Sequence, residues 1–309
     1  MAVARRASWG ASRRTAVTTA GENSLRHWRL GASATVVCVR RSYQATGRLE
    51  PGDRLGHALA LTIDPFRWAA DHAVVQQPLI DRLFDLAWLL SIARGVYLNA
   101  AHVADEAPLP GDAEPRLAQA WRDALRQAGV NESVDPVDFH RSFADPILLR
   151  HWVTIGPTGS GLHQLLAERF QAGAGRAGTL PDKLLAPIPL RAHEDVDLLA
   201  VVRLRLARDL LRRQVAIEVN PTSNLVVAGF RHLLDQPMLH LHPLAARRHD
   251  GPDANMPSLP IALHADDPLT FATNLGDEFA YAWAGMVAAG GADPQPVRAW
   301  LDEAAAVSW

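Results

Sequence analysis

The chain has 309 residues, 48% of them hydrophobic, which is enough for a substantial core in one large domain or two ordinary ones. A formal net charge of -2 gives no global reason to expect DNA, RNA or an anionic membrane as a partner. The single cysteine, Cys38, excludes an internal disulfide and a cysteine-based zinc cluster. No apolar run reaches the ~18 residues that a membrane-spanning helix requires.

Residues 1–47 are rich in arginine, serine, threonine and alanine and contain one acidic residue, Glu22. An acid-poor composition of this kind is typical of an organelle transit peptide or of a disordered basic arm. A third interpretation is that the segment is not native coding sequence. We expect 1–47 to be disordered or non-native.

From Leu49 onward the pattern is that of a folded domain. A short apolar run ends at His57 in "RLGH", and the pair Asp64-Pro65 predicts the start of a helix. Apolar residues at intervals of three and four in "PLIDRLFDLAWLLSIARGV" predict an amphipathic helix that stops near Gly95. A second such helix, "AEPRLAQAWRDALRQAGV", ends at Gly129.

The second half of the chain alternates between helices and short apolar runs. A long helix in "EDVDLLAVVRLRLARDLLRRQ" is followed by "VAIEVNPTSN", and a further run, "LPIALHADDP", precedes two closing helices that start at Leu269 and Pro294. The runs are too short for helices and are apolar throughout, which indicates strands buried on both faces. We therefore predict a parallel α/β sheet.

Three of these predicted strands end at polar residues, namely His57, the segment from Glu218 to Asn224, and the pair Asp266-Asp267. In parallel α/β folds, and especially in β/α barrels, active sites lie at the carboxyl ends of the strands. We therefore expect the three ends to meet at one site.

Each cluster also has an ordinary structural interpretation. Asp267-Pro268 can cap a helix, "NPTSN" can form a turn, and His57 can be a histidine bonded to backbone. One aspartate suffices for a cap, however, and two adjacent carboxylates at a buried strand end repel each other unless a cation or donor is near. The pair therefore favours a catalytic or metal-binding use.

Taken in order, "RLGHALAL", "IEVNPTSN" and "LHADDPLTF" resemble three motifs of the adenosine/AMP deaminase family of metal-dependent hydrolases. The resemblance covers about 49–95 and 196–309. The stretch "LEPGDRLGHALALTIDPFRWA" is also similar to the large deaminase subunit of bacterial antiphage systems of the RADAR type, which implies a role in antiviral defence.

The resemblance implies an incomplete (β/α)8 TIM-type barrel that holds strands six to eight. Its portions would be 48–95 and 195–309, separated by a mainly helical insertion at 96–194. The family also implies one catalytic zinc, with Asp266 as its ligand, Asp267 contacting the purine and His57 orienting the zinc-bound water. Zinc lowers the pKa of that water to about 7, and the resulting hydroxide attacks C6 of adenine and releases ammonia. The expected substrate is adenosine or an adenine nucleotide, and we expect a cytoplasmic protein.

The sequence departs from the family pattern. His264 stands where the family usually has asparagine, and Ala58 where it usually has glycine. The family's His-x-His and His-Ala-Gly-Glu motifs do not occur before His57, and the pair His240 and His242 falls too late in strand order to bind the metal.

These departures lead to the hypothesis of a carboxyl-terminal fragment. We expect weak or no zinc binding by the isolated chain, because catalytic zinc needs about three protein ligands. The alternative is an inactive fragment, or an assembly or regulatory subunit, that retains the carboxyl-terminal half of the barrel. The further expected partners are other copies of this chain, in a homo-oligomer, or a separate amino-terminal half.

Overall fold

The computed structural model describes residues 51–56, 58, 61, 65–71, 73–96, 108–130, 134–144, 184, 186–228, 236–241, 255–265, 272–289 and 292–308. The prediction for 1–47 lies outside these residues, as does much of the predicted insertion. None of the helices in the described part is long and apolar enough to cross a membrane.

The secondary structure of the described part alternates between short strands and helices. In chain order the elements are β1 (Arg54–Gly56), α1 (Pro65–Asp71), β2 (Val74–Pro78), α2 (Leu79–Ala93), α3 (Ala113–Ala128), α4 (Pro136–Ala144), β3 (Pro187–Arg191), a 3-10 turn (Ala192–Glu194), α5 (Val196–Arg212), β4 (Ala216–Val219), α6 (Pro221–Ala228), α7 (Pro237–Leu241), β5 (Ile261–Leu263), α8 (Leu275–Ala284), a π-helical turn (Gly285–Ala289) and α9 (Pro294–Ser308).

The chain divides into two compact units, with boundaries in sequence just before Pro65 and, within α5, between Arg205 and Leu206. The first unit contains β1 and the described elements from the end of α5 to α9, and the second contains those from α1 to the first part of α5. The predicted helix that starts at Leu79 belongs to the second unit.

The first unit is built on a three-stranded sheet in the order β1-β4-β5 with all strands parallel. Its central strand β4 is buried except at Glu218, which is half-buried. Helix α9 packs against β5 and α8, and α8 packs against α6. The predicted parallel sheet is present. These three strands do not test the further prediction of an incomplete barrel.

The second unit combines a two-stranded antiparallel sheet, β2 with β3, and a group of helices in which α2 packs against α3 and α4. The ring of Phe139 lies 5.3 Å from that of Phe84 and 5.4 Å from that of Trp121, measured between ring centroids. Both helices predicted here are confirmed: α2 ends before Gly95, and Gly129 closes α3 with a positive φ of 74°. Glycine adopts that conformation without a steric penalty.

The first closing helix begins later than predicted. The prediction placed its start at Leu269, whereas Ala272, Thr273 and Asn274 are not helical and α8 begins at Leu275. Asn274 accepts a hydrogen bond from the backbone N–H of Asp277 at 3.1 Å, and the Asp277 carboxylate accepts from the backbone N–H of Asn274 at 3.3 Å. This capping box sets the helix start, because it satisfies donors that would otherwise lack partners.

Candidate functional site

The three strands that carry the sequence motifs lie side by side and end at the same edge of the sheet. Gly56 of β1 is level with Glu218 of β4, which is level with Ala262 of β5. Asn220 follows β4 directly, and His264 follows β5. The prediction that these three strand ends meet is therefore confirmed for the strands themselves.

The residues predicted to carry the chemistry, His57, Asp266 and Asp267, all lie outside the described residues. The structure therefore neither brings them together nor separates them. What it does describe is the sheet that precedes each of them, up to Gly56 on one side and to Ala265 on the other.

The two faces of the sheet differ in character, because successive side chains of a strand point to opposite faces. One face is apolar and buried, and consists of Leu55, Ile217, Val219, Ile261 and Leu263. The other face carries the small residues Gly56, Ala216 and Ala262 together with the larger polar side chains of Arg54, Glu218 and His264. We call this second side the polar face.

A short hydrogen bond joins the two ends of the polar face. The guanidinium Nη1 of Arg54 lies 2.6 Å from Nε2 of His264. Arginine only donates hydrogen bonds, so Nε2 must be the acceptor and the ring proton lies on Nδ1. His264 is therefore held as the neutral imidazole.

The surroundings of His264 favour the same protonation state. Burial lowers the pKa of His264 from its ordinary value of 6.5, the Glu218 carboxylate acts in the opposite direction, and the Arg54 guanidinium lowers it further. Burial penalises the charged form, and a neighbouring cation repels it. The lowered pKa agrees with the acceptor role of Nε2.

Arg54 also holds the end of the last helix. Its Nη2 donates to the carbonyl oxygens of Val307 at 2.9 Å and Ser308 at 3.2 Å. These carbonyls lie in the last turn of α9, where backbone acceptors lack partners within the helix and where a cation is favourable. Sequence reasoning missed this residue, although its position two residues before Gly56 places it on the same face as that strand end.

The hydroxyl of Ser308 covers the outer edge of β5. Its Oγ accepts the backbone N–H of Leu263 at 3.0 Å and donates to the carbonyl of Ala304 at 2.7 Å. The N–H of Leu263 points away from β4, because His264 N–H is the donor that bonds to β4 at Val219. A helix side chain thus takes the hydrogen bond that a further strand would make at this point.

Glu278 of α8 is a buried carboxylate that contacts the first turn of α6, the helix that follows β4. Glu278 is 0% exposed, and it accepts the backbone N–H of Thr222 at 2.9 Å and the hydroxyl of Thr273 at 2.8 Å. Thr222 lies in the first turn of α6, where free N–H groups favour a negative charge. Sequence reasoning missed Glu278, because nothing local in α8 marks it as the partner of a residue 56 positions away.

Two buried amide oxygens lie near the carboxyl end of β4. Oδ1 of Asn220 and Oε1 of Gln236 have no hydrogen-bond partner in the described part of the chain, and these residues are 4% and 0% exposed. Gln236 donates through Nε2 to the carbonyl of Pro221 at 2.9 Å, which fixes its amide orientation. An unpaired buried acceptor is costly unless a donor outside the described residues supplies its hydrogen bond.

The described residues do not test the zinc site that the family resemblance implies. They contain no group of three histidine, cysteine, aspartate or glutamate side chains able to hold a metal ion. The Arg54 hydrogen bond also occupies the Nε2 lone pair of His264 and places a cation beside it. The predicted ligand Asp266 is not among the described residues, and neither is His242 of the pair with His240.

No protein-family model matches the chain, and no curated protein matches it either.

Proposed function

We propose that this chain is a purine aminohydrolase of the adenosine deaminase type, with adenosine or an adenine nucleotide as its substrate. The observation that carries the proposal is the pairing of β1, β4 and β5 as adjacent parallel strands in chain order. The three motifs lie on segments far apart in the chain. Their pairing supports the resemblance, since unrelated local similarities would not need to meet at one sheet edge.

The polar groups at that edge are hydrogen-bond acceptors, which match a ligand that donates hydrogen bonds. Asn220 contributes a buried acceptor directly after β4, and Glu218 contributes a half-buried carboxylate. The exocyclic amine of adenine is a hydrogen-bond donor, so both oxygens match its chemistry. The proposed roles of His57, Asp266 and Asp267 still rest on the resemblance alone.

No chemical step is assigned to zinc, because the described residues do not supply its ligands. We propose only that a metal, if the chain holds one, is bound through Asp266. The purine-binding part of the proposal does not depend on this assignment.

A second candidate function is a non-catalytic one, in which the sheet serves assembly or regulation. Two observations favour it. Arg54 occupies Nε2 of His264, and Ser308 occupies the outer edge of β5 at Leu263. The first contact leaves Nε2 of His264 unable to bind a metal, and the second uses a backbone donor that a further barrel strand would need.

Two measurements on the purified full chain separate the two candidate functions. They are ammonia release from adenosine and AMP, and zinc content. For the aminohydrolase we expect ammonia release that Asp266→Asn and His57→Ala abolish. The control Arg298→Gln, which removes an exposed charge on α9, should leave the rate unchanged. Absence of both ammonia release and stoichiometric zinc would show that this polypeptide is not an aminohydrolase and would leave the non-catalytic function.

A further inference from the structure

The second unit contains a cavity that the proposed function does not use. It has a volume of about 510 Å³ and lies between the end of α2, the middle and end of α3, and the start of α4. Its apolar wall includes Leu90, Trp121, Leu125 and Val134, each at most 6% exposed. Ligand sites in proteins are of this size, roughly 300–1,000 Å³, and mostly apolar with a few polar groups.

The indole ring of Trp121 lines this cavity, and its one polar group, the N–H, already has a hydrogen-bond partner. Its indole N–H donates to the carbonyl of Val134 at 2.9 Å, and its ring packs against that of Phe139. The ring is thus fixed in position by contacts on two sides. A fixed ring loses little entropy when a ligand contacts it, and at most the exposed 3% of Trp121 is available for that contact.

The charged side chains around the cavity are mainly basic. Arg94, Arg122 and Arg126 line it, against a single acid, Asp135. Asp135 is fully engaged: one carboxylate oxygen accepts from Arg94 at 3.1 Å, and the other accepts the backbone N–H groups of Val137 and Asp138 at 2.8 and 3.0 Å. It therefore has little capacity to neutralise the other two arginines.

Among these arginines, Arg122 has the most freedom to bind a ligand. Arg94 pairs with Glu114 as well as Asp135, and Arg126 pairs with Asp123. Arg122 instead donates to the neutral side chain of Gln119 at 2.6 Å and pairs with no carboxylate among the described residues. A guanidinium beside an apolar cavity matches the planar geometry of a carboxylate.

We propose that this cavity binds an organic anion, a carboxylate on an apolar aromatic or aliphatic body. The body lies against the wall formed by Trp121 and Leu125, and the carboxylate accepts hydrogen bonds from Arg122. This proposal concerns the second unit and is independent of the purine aminohydrolase activity.

The test measures binding of 1-naphthoate to the full-length chain by fluorescence titration, with the uncharged 1-naphthamide as the matched ligand. We expect saturable binding of one naphthoate per chain and weaker binding of the amide. Arg122→Gln should weaken naphthoate binding about tenfold and leave amide binding unchanged, because it removes only the charge-assisted hydrogen bonds.

Two further variants keep the test decisive. Ala118→Phe places a large side chain at a half-buried, cavity-lining position on α3, and it should abolish binding of both ligands while the thermal midpoint stays near that of the wild type. Arg298→Gln removes an exposed arginine outside this cavity and should bind both ligands like the wild type. The proposal is wrong if the wild type binds neither ligand or binds both equally, or if Arg122→Gln and Ala118→Phe bind naphthoate as the wild type does.

Discussion

Arg54 and His264 lie 210 positions apart in the chain and are joined by a 2.6 Å hydrogen bond from the guanidinium to the imidazole. The same guanidinium bonds to the carbonyls of Val307 and Ser308. One side chain of β1 therefore connects the residue that follows β5 to the last turn of α9. Substitution of Arg54 therefore tests the contacts of β1 with both the segment after β5 and the end of α9.

Arg54→Gln should destabilise the first unit by about 1–3 kcal/mol, because a part-buried, charge-assisted network is lost and its acceptors are left without donors. Urea unfolding followed by circular dichroism measures the loss. Arg298→Gln, at an exposed position of α9, should change stability by no more than about 0.5 kcal/mol. Equal effects of the two substitutions would contradict a structural role for the Arg54 network.

The stability of the chain should fall as the pH drops through the titration of His264. Its pKa is lowered in the folded chain, first by burial and then by Arg54. The unfolded chain therefore binds the proton at a higher pH than the folded chain does. The contribution of neutral His264 is fully present above its ordinary value of 6.5, and is lost as the pH falls through the lower folded value.

Urea midpoints of the wild type and His264→Gln, compared between pH 8 and pH 5, isolate this effect. Glutamine keeps an acceptor for Arg54 but does not titrate, so the wild type should lose more stability across that range than the variant. Parallel curves for the two proteins would show that His264 does not contribute to the pH dependence.

Ser308→Ala should leave the backbone N–H of Leu263 without its partner at the edge of β5. A buried donor without an acceptor costs about 1–3 kcal/mol. Hydrogen exchange resolved at Leu263 should be faster in the variant, and the free energy of unfolding should fall by that amount. The matched control is Gln295→Ala, an exposed position in the first turn of α9, which should alter neither quantity. Unchanged exchange at Leu263 in Ser308→Ala would contradict the assigned hydrogen bond.

Glu278→Gln tests the buried link between α8 and the start of α6. Its amide keeps the shape of the carboxylate but loses the charge and one acceptor. The amide oxygen can still accept the Thr222 N–H, whereas the Thr273 hydroxyl must change from donor to acceptor of the amide NH2, and both bonds lose their charge assistance. We expect a loss of about 1–2 kcal/mol in urea unfolding for glutamine and a larger loss for Glu278→Ala, which removes both bonds and leaves a cavity. A gain in stability for either variant relative to the wild type would mean that burying the carboxylate costs more than its bonds return.

The sequence by itself was sufficient to predict the helices with strong periodicity and the three short apolar strands. Helix α2 and the strands β4 and β5 follow from local patterns, since the spacing of apolar residues reports which face of an element is buried. The parallel direction of the strands was also predictable from the sequence, because helices alternate with strands in the second half of the chain. The start of α8 was predicted wrongly, because the capping box of Asn274 outweighs the apolar residues before it.

Only the tertiary structure revealed which polar side chains on the sheet contact one another. Arg54, His264 and Ser308 belong to segments far apart in the chain, and no local pattern encodes that a guanidinium from one strand reaches the residue after another. The same applies to Glu278 and Thr222, and to the arginine-lined cavity between α2 and α3. Periodicity determines which face of an element is buried, whereas contacts between polar groups depend on register and packing across the whole unit.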